Sequence, residues 1–283
     1  MKALIQVVCL LLAIVPTATA TADSYSWDFR NGHFDNLSLV PMGAGAVNLL
    51  QPTKEGLRIT VLAGHDVKAV GFSPRFVISG DFEITAEFTI VKRTQPKSGY
   101  GSGPSLYLSM GSTKDSAASL GRQLRTDGRD VYGVFAARVD EGQRIPTARL
   151  FDVPAANKSM TGQLRLTRTG HEISYSIADS SKAAFRPLVT LPVSDADVTM
   201  LRVGLAQSDP QSAAVIVLQS IQIDATKLLQ LPSEQSRTAQ LYRPRYQPPP
   251  QPTSYRWLWQ TLAALVITGV FATWWWKRRQ ASR

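Results

Sequence analysis

Cysteine is missing from everything beyond position 9. The single Cys9 lies in an apolar leader, so the rest of the chain has no thiol nucleophile, no cysteine metal ligand and no disulfide. Histidine is almost as scarce: His33, His65 and His171 stand far apart with no H-x-x-x-H spacing, and nothing announces a zinc centre. No G-x-S-x-G motif is present, and helical spacing of apolar residues is nearly absent. The excess of positive charge also dissolves once it is located. The formal charge is +10, but residues 225–283 hold nine Lys/Arg against Glu234 alone, and Lys2 sits in the leader. That leaves 21 basic and 20 acidic residues in 23–224. A near-neutral body with a basic tail beside an apolar segment reflects membrane topology and headgroup attraction, and no nucleic-acid partner is expected.

What the chain does contain begins at its two ends. "MKALIQVVCLLLAIVPTATATA" has a lysine at position 2, an apolar run from Ala3 to Val15 and two small-residue cleavage sites ending at Ala20 and Ala22, the layout of a signal peptide over 1–22. At the other end, Trp257 to Trp276 carries no charge and no proline, and about 20 helical residues span the roughly 30 Å hydrocarbon core. Tryptophans flank this run on both sides and Lys277, Arg278 and Arg279 follow at once, as cytoplasmic-side charges do. The reading is a transmembrane helix over 256–276 with a basic cytoplasmic tail, 277–283. A sorting tag cut away before the helix is the alternative, for which "LPSEQ" (231–235) is a poor match. Residues 227–255, rich in proline and polar side chains, form a stalk.

Between the ends, 23–226 is expected to be one domain, and its apolar period is two. "FEITAEFTI" (82–90) sets Phe82, Ile84, Ala86, Phe88 and Ile90 on one face and Glu83, Thr85, Glu87 and Thr89 on the other. Further strands are expected at 56–62, 105–110, 131–138, 148–153, 199–206 and 214–224. In "GQLRLTRTGHEISYSIAD" (162–179) a two-residue turn at Thr169-Gly170 pairs Leu166 with Ile173 and Leu164 with Tyr175, so that apolar meets apolar. Many antiparallel strands without helices predict an all-β, two-sheet antiparallel jelly-roll sandwich.

The order "WDFRNGHFDN", "EGLRITVLAG", "ISGDFEITAEFTI", "GYGSGPSLYLSM" and "GQLRLTRTGHEISYSIAD" resembles the concanavalin A-like lectin/glucanase class, laminin G type, over about 25 to 225. Within it the likeness is nearest to secreted bacterial domains common in planctomycetes. The resemblance implies a sandwich whose concave face and rim loops take glycans or protein partners. "EITAE" is similar to the E-x-D-x-E strand of the glucanase members, which would make Glu83 and Glu87 a carboxylate pair, although Thr85 stands where those enzymes have an aspartate. Residues four apart on a strand are ~13 Å apart at Cα, far beyond the roughly 5 Å carboxyl separation of a retaining pair unless the side chains lean together.

For binding, the loop 93–105 and the segment 122–132 are richest in hydrogen-bonding and aromatic groups. Tyr100 among glycines suits a sugar face, and Asp127, Arg129 and Asp130 suit hydroxyls. No cofactor is expected. A calcium site built from the dispersed Asp35, Asp81, Asp127, Asp130, Asp209 and Asp224 stays open, although no D-x-D-x-D-G loop exists. The sequence thus reads as a membrane-anchored extracytoplasmic module that binds a glycan or envelope protein without catalysis. A β-glucan hydrolase using Glu83 and Glu87, and a scaffolding subunit of an envelope complex, are the alternatives.

Overall fold

The computed structural model describes residues 22–66, 68–111, 116–140, 143–145, 153–155 and 160–230. The expected leader, the transmembrane helix, the basic tail, nearly all of the stalk and most of the strand expected at 148–153 lie outside them. Among the described residues no helix is long and apolar enough to cross a membrane.

Sixteen strands account for most of the described chain. In order they are β1 (Asp23–Asp28), β2 (Leu39–Met42), β3 (Leu50–Thr53), β4 (Gly56–Val61), β5 (Ala69–Pro74) and β6 (Val77–Arg93). Then come β7 (Ser102–Met110), β8 (Ser116–Leu124), β9 (Asp130–Asp140), β10 (Gln143–Ile145) and β11 (Val153–Pro154). The last are β12 (Thr161–Thr169), β13 (Glu172–Ala178), β14 (Arg186–Pro192), β15 (Val198–Gln207) and β16 (Ala214–Leu229). One turn of α-helix, α1 (Ala46–Leu49), interrupts them near the start.

Their antiparallel pairings build two layers. One layer runs β14-β13-β12-β6-β16, and β1 and β4 both pair along the far side of β16, with β3 beyond β4. The other runs β9-β8-β7-β15-β5-β2, with β10 and β11 on β9. A single pair, Val198 with Ile78, links them. We name the layers after their central strands, the β6 sheet and the β15 sheet.

The period-two pattern explains why they stack. On β6, Phe82, Ile84, Ala86, Phe88 and Ile90 are buried, as are Leu164 and Leu166 beside them. From the β15 sheet come Leu106, Leu108, Leu120, Val134, Leu201, Val203 and Leu205, and the two sets make one core. The all-β antiparallel sandwich expected from the sequence is therefore present; the strands expected at 82–90, 105–110, 131–138, 199–206 and 214–224 fall inside observed ones, and 56–62 overruns β4 by one residue. β8 ("SAASLGRQL") and β14 ("RPLVTLP") escaped that reading because alanine, serine, glycine and proline carry little strand preference. Their places are set by pairing with β7 and β13.

The β12–β13 hairpin forms, but its register differs from the expected one. Thr169 pairs with Glu172, so the turn is Gly170-His171, and Leu166 faces Tyr175 while Leu164 faces Ile177. Gly170 has φ +59° and His171 is not among the positive-φ residues, the signature of a type II′ turn with glycine first. A turn at Thr169-Gly170 would have placed a β-branched residue in the left-handed region. The displacement is by two residues, which returns every side chain to its own face; the alternation of apolar and polar therefore fits both registers equally.

Buried polar side chains tie the elements at the ends of the sandwich. Arg168, 1% exposed, donates through Nε to the Gly80 carbonyl at 2.9 Å and through its other nitrogens to the carbonyls of Gly80 and Ala196. Its guanidinium also covers the Phe82 ring at 4.8 Å. One side chain of β12 thus fixes both the entry to β6 and the loop before β15. Replacing Gly170 by valine should lower the free energy of urea unfolding by about 1–2 kcal/mol through the left-handed backbone, whereas His171→Asn should leave the midpoint unchanged.

Candidate functional site

The two outer faces of the sandwich differ in how their polar groups are used. On the β6 sheet, Glu83, Thr85 and Glu87 point outward, as their alternation with buried neighbours requires. Arg165, opposite Thr85 on β12, donates through Nε to Thr85 Oγ1 at 3.0 Å and lies 3.1 Å from Glu83 Oε1, while its guanidinium stacks on Phe185 at 3.6 Å. Glu87 has Ser220 Oγ at 3.4 Å and Arg30 Nη1 at 4.0 Å. Each carboxylate has its own basic or hydroxyl neighbour, and the guanidinium of Arg165 occupies the stretch of surface beside Glu83 and Thr85. A hydrolase would need a sugar there.

The rim residues suggested by the sequence are partly brought together. Arg125 donates to the Tyr100 carbonyl, and Gln95 Nε2 donates to Thr126 O at 2.7 Å, so loop 94–101 and turn 125–129 are one structure. Within the turn, Asp127 accepts from the Arg129 amide at 3.0 Å and from Arg129 Nε at 2.7 Å. Asp130 is used differently. Its two oxygens receive Arg93 at 3.1 and 2.8 Å, and Oδ2 also receives Arg122 Nε and Nη2 at 3.1 and 2.8 Å. Arg93 comes from the β6 sheet and Arg122 and Asp130 from the β15 sheet, with Arg93 and Arg122 side chains 4% and 1% exposed. Burial alone would raise the Asp130 pKa, but hydrogen bonds from Arg93 and Arg122, then their charges, outweigh it and hold the carboxyl below the usual carboxylate range. Beside it, burial first and then the charges of Asp179 and Asp130 push the Tyr132 phenol up to about 12, while its hydroxyl donates to Asp179 at 3.2 Å across the sheets.

The aspartates weighed for calcium are engaged in the same way. Asp35 accepts from the amides of Leu37 and Ser38, Asp81 from Gly170, Asp209 from Lys97 and Gln211, and Asp224 from Gln222 Nε2. They close turns and loops rather than converge, and among the described residues no three His, Cys, Asp or Glu side chains are placed to hold a metal ion.

The outer face of the β15 sheet is where sequence reading missed residues. Leu201, Val203 and Leu205 face the core, so Arg202 faces out, and the register sets it beside Tyr107, then Ser119, then Phe135. These four are half-buried. The next row is Gly71, Gly204, Ser105, Gly121 and Gly133, across five strands with no side chain larger than serine. At Gly71 and Gly204 the backbones press together: a Cβ on either would lie 2.1 and 2.2 Å from the facing carbonyl oxygens of Val203 and Val70. The result is a bald strip, low between its neighbours and buried, with the Gln123 amide against its Gly133 end, beside a row that bears two aromatic rings and a cation.

Tyr100, 39% exposed, marks another border of this area, its hydroxyl 3.4 and 3.5 Å from the carbonyls of Lys68 and Gln207. Burial pushes its phenol up, against the opposing charge of Arg202. Arg202 itself covers the Tyr107 ring, with 4.9 Å from guanidinium carbon to centroid, and burial lowers its pKa. A ring, a cation and flanking hydroxyls beside a strip without side chains can stack on and hydrogen-bond a flat, hydroxylated ligand. The only sequence signal was that Tyr107 and Arg202 interrupt otherwise apolar strands.

The Asp130 clamp makes a direct prediction. Asp130→Ala should lower the unfolding free energy by about 3 kcal/mol, because it strands two guanidiniums between the sheets, while Asp127→Ala in the exposed turn should leave the urea midpoint unchanged. Because the folded pKa is depressed, the advantage of wild type over Asp130→Asn should be complete above the unfolded carboxylate value of about 4 and vanish as pH falls through the folded value.

Comparison with known proteins places this architecture. The apo Crh5 transglycosylase superposes with a TM-score of 0.50 at 14% identity, over 76% of this chain and 88% of that one. LamAcat from Zobellia galactanivorans reaches 0.49 at 9% identity over 70% and 96%, and a β-1,3-1,4-glucanase (lichenase) derived from a mouse hindgut metagenome reaches 0.48 at 8% over 72% and 99%. The first of these supports the expected concanavalin A-like sandwich as a fold, and at such identity an activity does not travel with it. No curated protein matches the chain in sequence. A family model matches residues 11–250, and the chain belongs to that family, described as "Protein of unknown function (DUF1583) C domain".

Proposed function

We propose that this domain is a non-catalytic binding module for an extended glycan, carried free or on a glycoprotein, with the outer face of the β15 sheet as its site. The observation that supports this best is the bald strip of Gly71, Gly204, Ser105, Gly121 and Gly133 beside Tyr107 and Arg202, with Tyr100 at its border. Sugar rings bind by laying an apolar face on an aromatic ring while hydroxyls find polar groups, and a strip with no side chain larger than serine lets a flat ring settle beside Tyr107. A hydrolytic role for Glu83 and Glu87 has less support, since Arg165 engages Glu83 and Thr85 and both carboxylates lie on the outer face of the other sheet.

The proposed setting is the outside of a bacterial cell membrane, for a domain of the secreted planctomycete type. The leader 1–22 would be removed, the stalk 227–255 would hold the domain away from the bilayer, and the helix 256–276 would anchor it with its tail in the cytoplasm. These assignments rest on hydropathy, tryptophan placement and the position of the basic residues.

Two experiments test the reading. On a glycan array, the full chain should bind at least one polymeric saccharide without releasing reducing ends, and Tyr107→Ala should weaken that binding about tenfold, ~1.4 kcal/mol; an array without any binding rejects the proposal, as does turnover abolished by Glu83→Gln. The intact mass of the membrane-extracted protein should include everything through Arg283; loss of all that follows the stalk would identify the helix as a cleaved tag.

A further inference from the structure

Several arginines of this domain that leave water are matched by acceptors of the protein itself. Arg93 and Arg122 share the carboxylate of Asp130, Arg165 holds Glu83 and Thr85, and Arg168 is met by the carbonyls of Gly80 and Ala196. Arg202 breaks this pattern. It lies over the face of Tyr107, at 4.9 Å, and makes no hydrogen bond or ion pair among the described residues.

A guanidinium offers five N–H donors in a planar fork, and the fork of Arg202, half-buried, is given no acceptor by the described residues and stays open to one from outside. Tyr107 holds the fork by its π-face, which fixes its position while leaving the donor edges unused. Arg202 also stands in the row that borders the bald strip, paired with Tyr107 in register, so an acceptor presented by a ligand on the strip would meet it. None of the carboxylates whose contacts are given above is paired with it: Asp127 and Asp130 are taken by other arginines, and Glu83 and Glu87 belong to the other sheet. The donor fork therefore asks for an anion from outside.

We propose that the ligand of this face is an anionic saccharide, whose carboxylate or sulfate group docks on the guanidinium of Arg202 while a neighbouring sugar ring lies against Tyr107. This rests on the reading of the face as a glycan site and adds the charge class of the glycan. A planar carboxylate accepts two parallel N–H bonds from such a fork, and a sulfate offers oxygens at similar spacing.

Calorimetric titration of the full chain tests it with four probes: hexagalacturonate for the carboxylate, a dextran sulfate oligomer for the sulfate, cellohexaose as the neutral chain, and a single-stranded 12-mer DNA as a polyanion without hexoses. The expected result is that one or both acidic saccharides bind at least about tenfold tighter than cellohexaose. Arg202→Gln should erase that margin, a loss of about ten- to hundredfold for a charge-assisted bond, without changing the melting temperature, and Arg202→Lys should restore part of it. Raising NaCl should weaken the acidic probes and leave cellohexaose unchanged. Equal affinity for acidic and neutral saccharides, unaffected by Arg202→Gln, overturns the charge assignment and leaves the glycan site standing. Binding of the DNA in place of every saccharide, dependent on Arg202, overturns both, as does a silent titration with all four probes.

Discussion

The interaction on which much of this molecule depends is the clamp of Asp130 between Arg93 and Arg122. Packing of the core sets how the two sheets lie, and directional contacts between them sharpen that offset. A carboxylate held by one guanidinium from the β6 sheet and another from the β15 sheet is such a contact. Desolvating three charges is costly, and the short, paired geometry offsets that cost only while all three partners remain. The clamp also sets local sequence. Gly103 lies against it, where a Cβ would come within 1.9 Å of the Arg122 carbonyl oxygen and 3.4 Å of Arg93 Nη1. Asp130 closes the turn 125–129, and that turn in turn holds the loop bearing Tyr100 through Arg125 and Gln95. The rim of the proposed site is thus a consequence of how the sheets are locked.

The same logic separates the two outer faces. On the β6 sheet the charged residues around Glu83 and Glu87 are engaged: Arg165 with Glu83 and Phe185, Glu87 with Ser220 and Arg30. Such pairs cost little to leave in water. On the β15 sheet most residues facing out are small or aromatic, and Arg202 is held only by a ring. Open hydrogen-bonding capacity on a half-buried cation beside a bare strip is a property of a surface that expects company. The fold is shared with proteins of other activities, so function must be argued from this difference between faces and not from the sandwich.

Much of the fold could be read from residue order. The alternation in "FEITAEFTI" named both the strand and its buried face, and glycines and prolines marked the ends of most others. The hairpin shows where such reading loses resolution: two registers separated by two residues satisfy the same alternation, and the choice fell to the backbone of Gly170, which takes the positive φ that a β-branched Thr169 would resist. The candidate site was legible only in part. Tyr100 stood out among glycines, but Asp130, which resembled a surface ligand, is consumed inside the sandwich, and Arg202 and Tyr107, far apart in sequence, carried no motif at all.

What the sequence alone determined is everything that depends on local period and composition: an all-β antiparallel chain, the face each of its regular strands buries, and the lack of any cysteine beyond Cys9. Tertiary structure decided which polar residues were spent. Whether an arginine is a strut or a receptor depends on the acceptors brought to it by strands distant in the chain, and that pairing is fixed only when two sheets close on one core and bring Arg93 to Asp130 while leaving Arg202 with Tyr107.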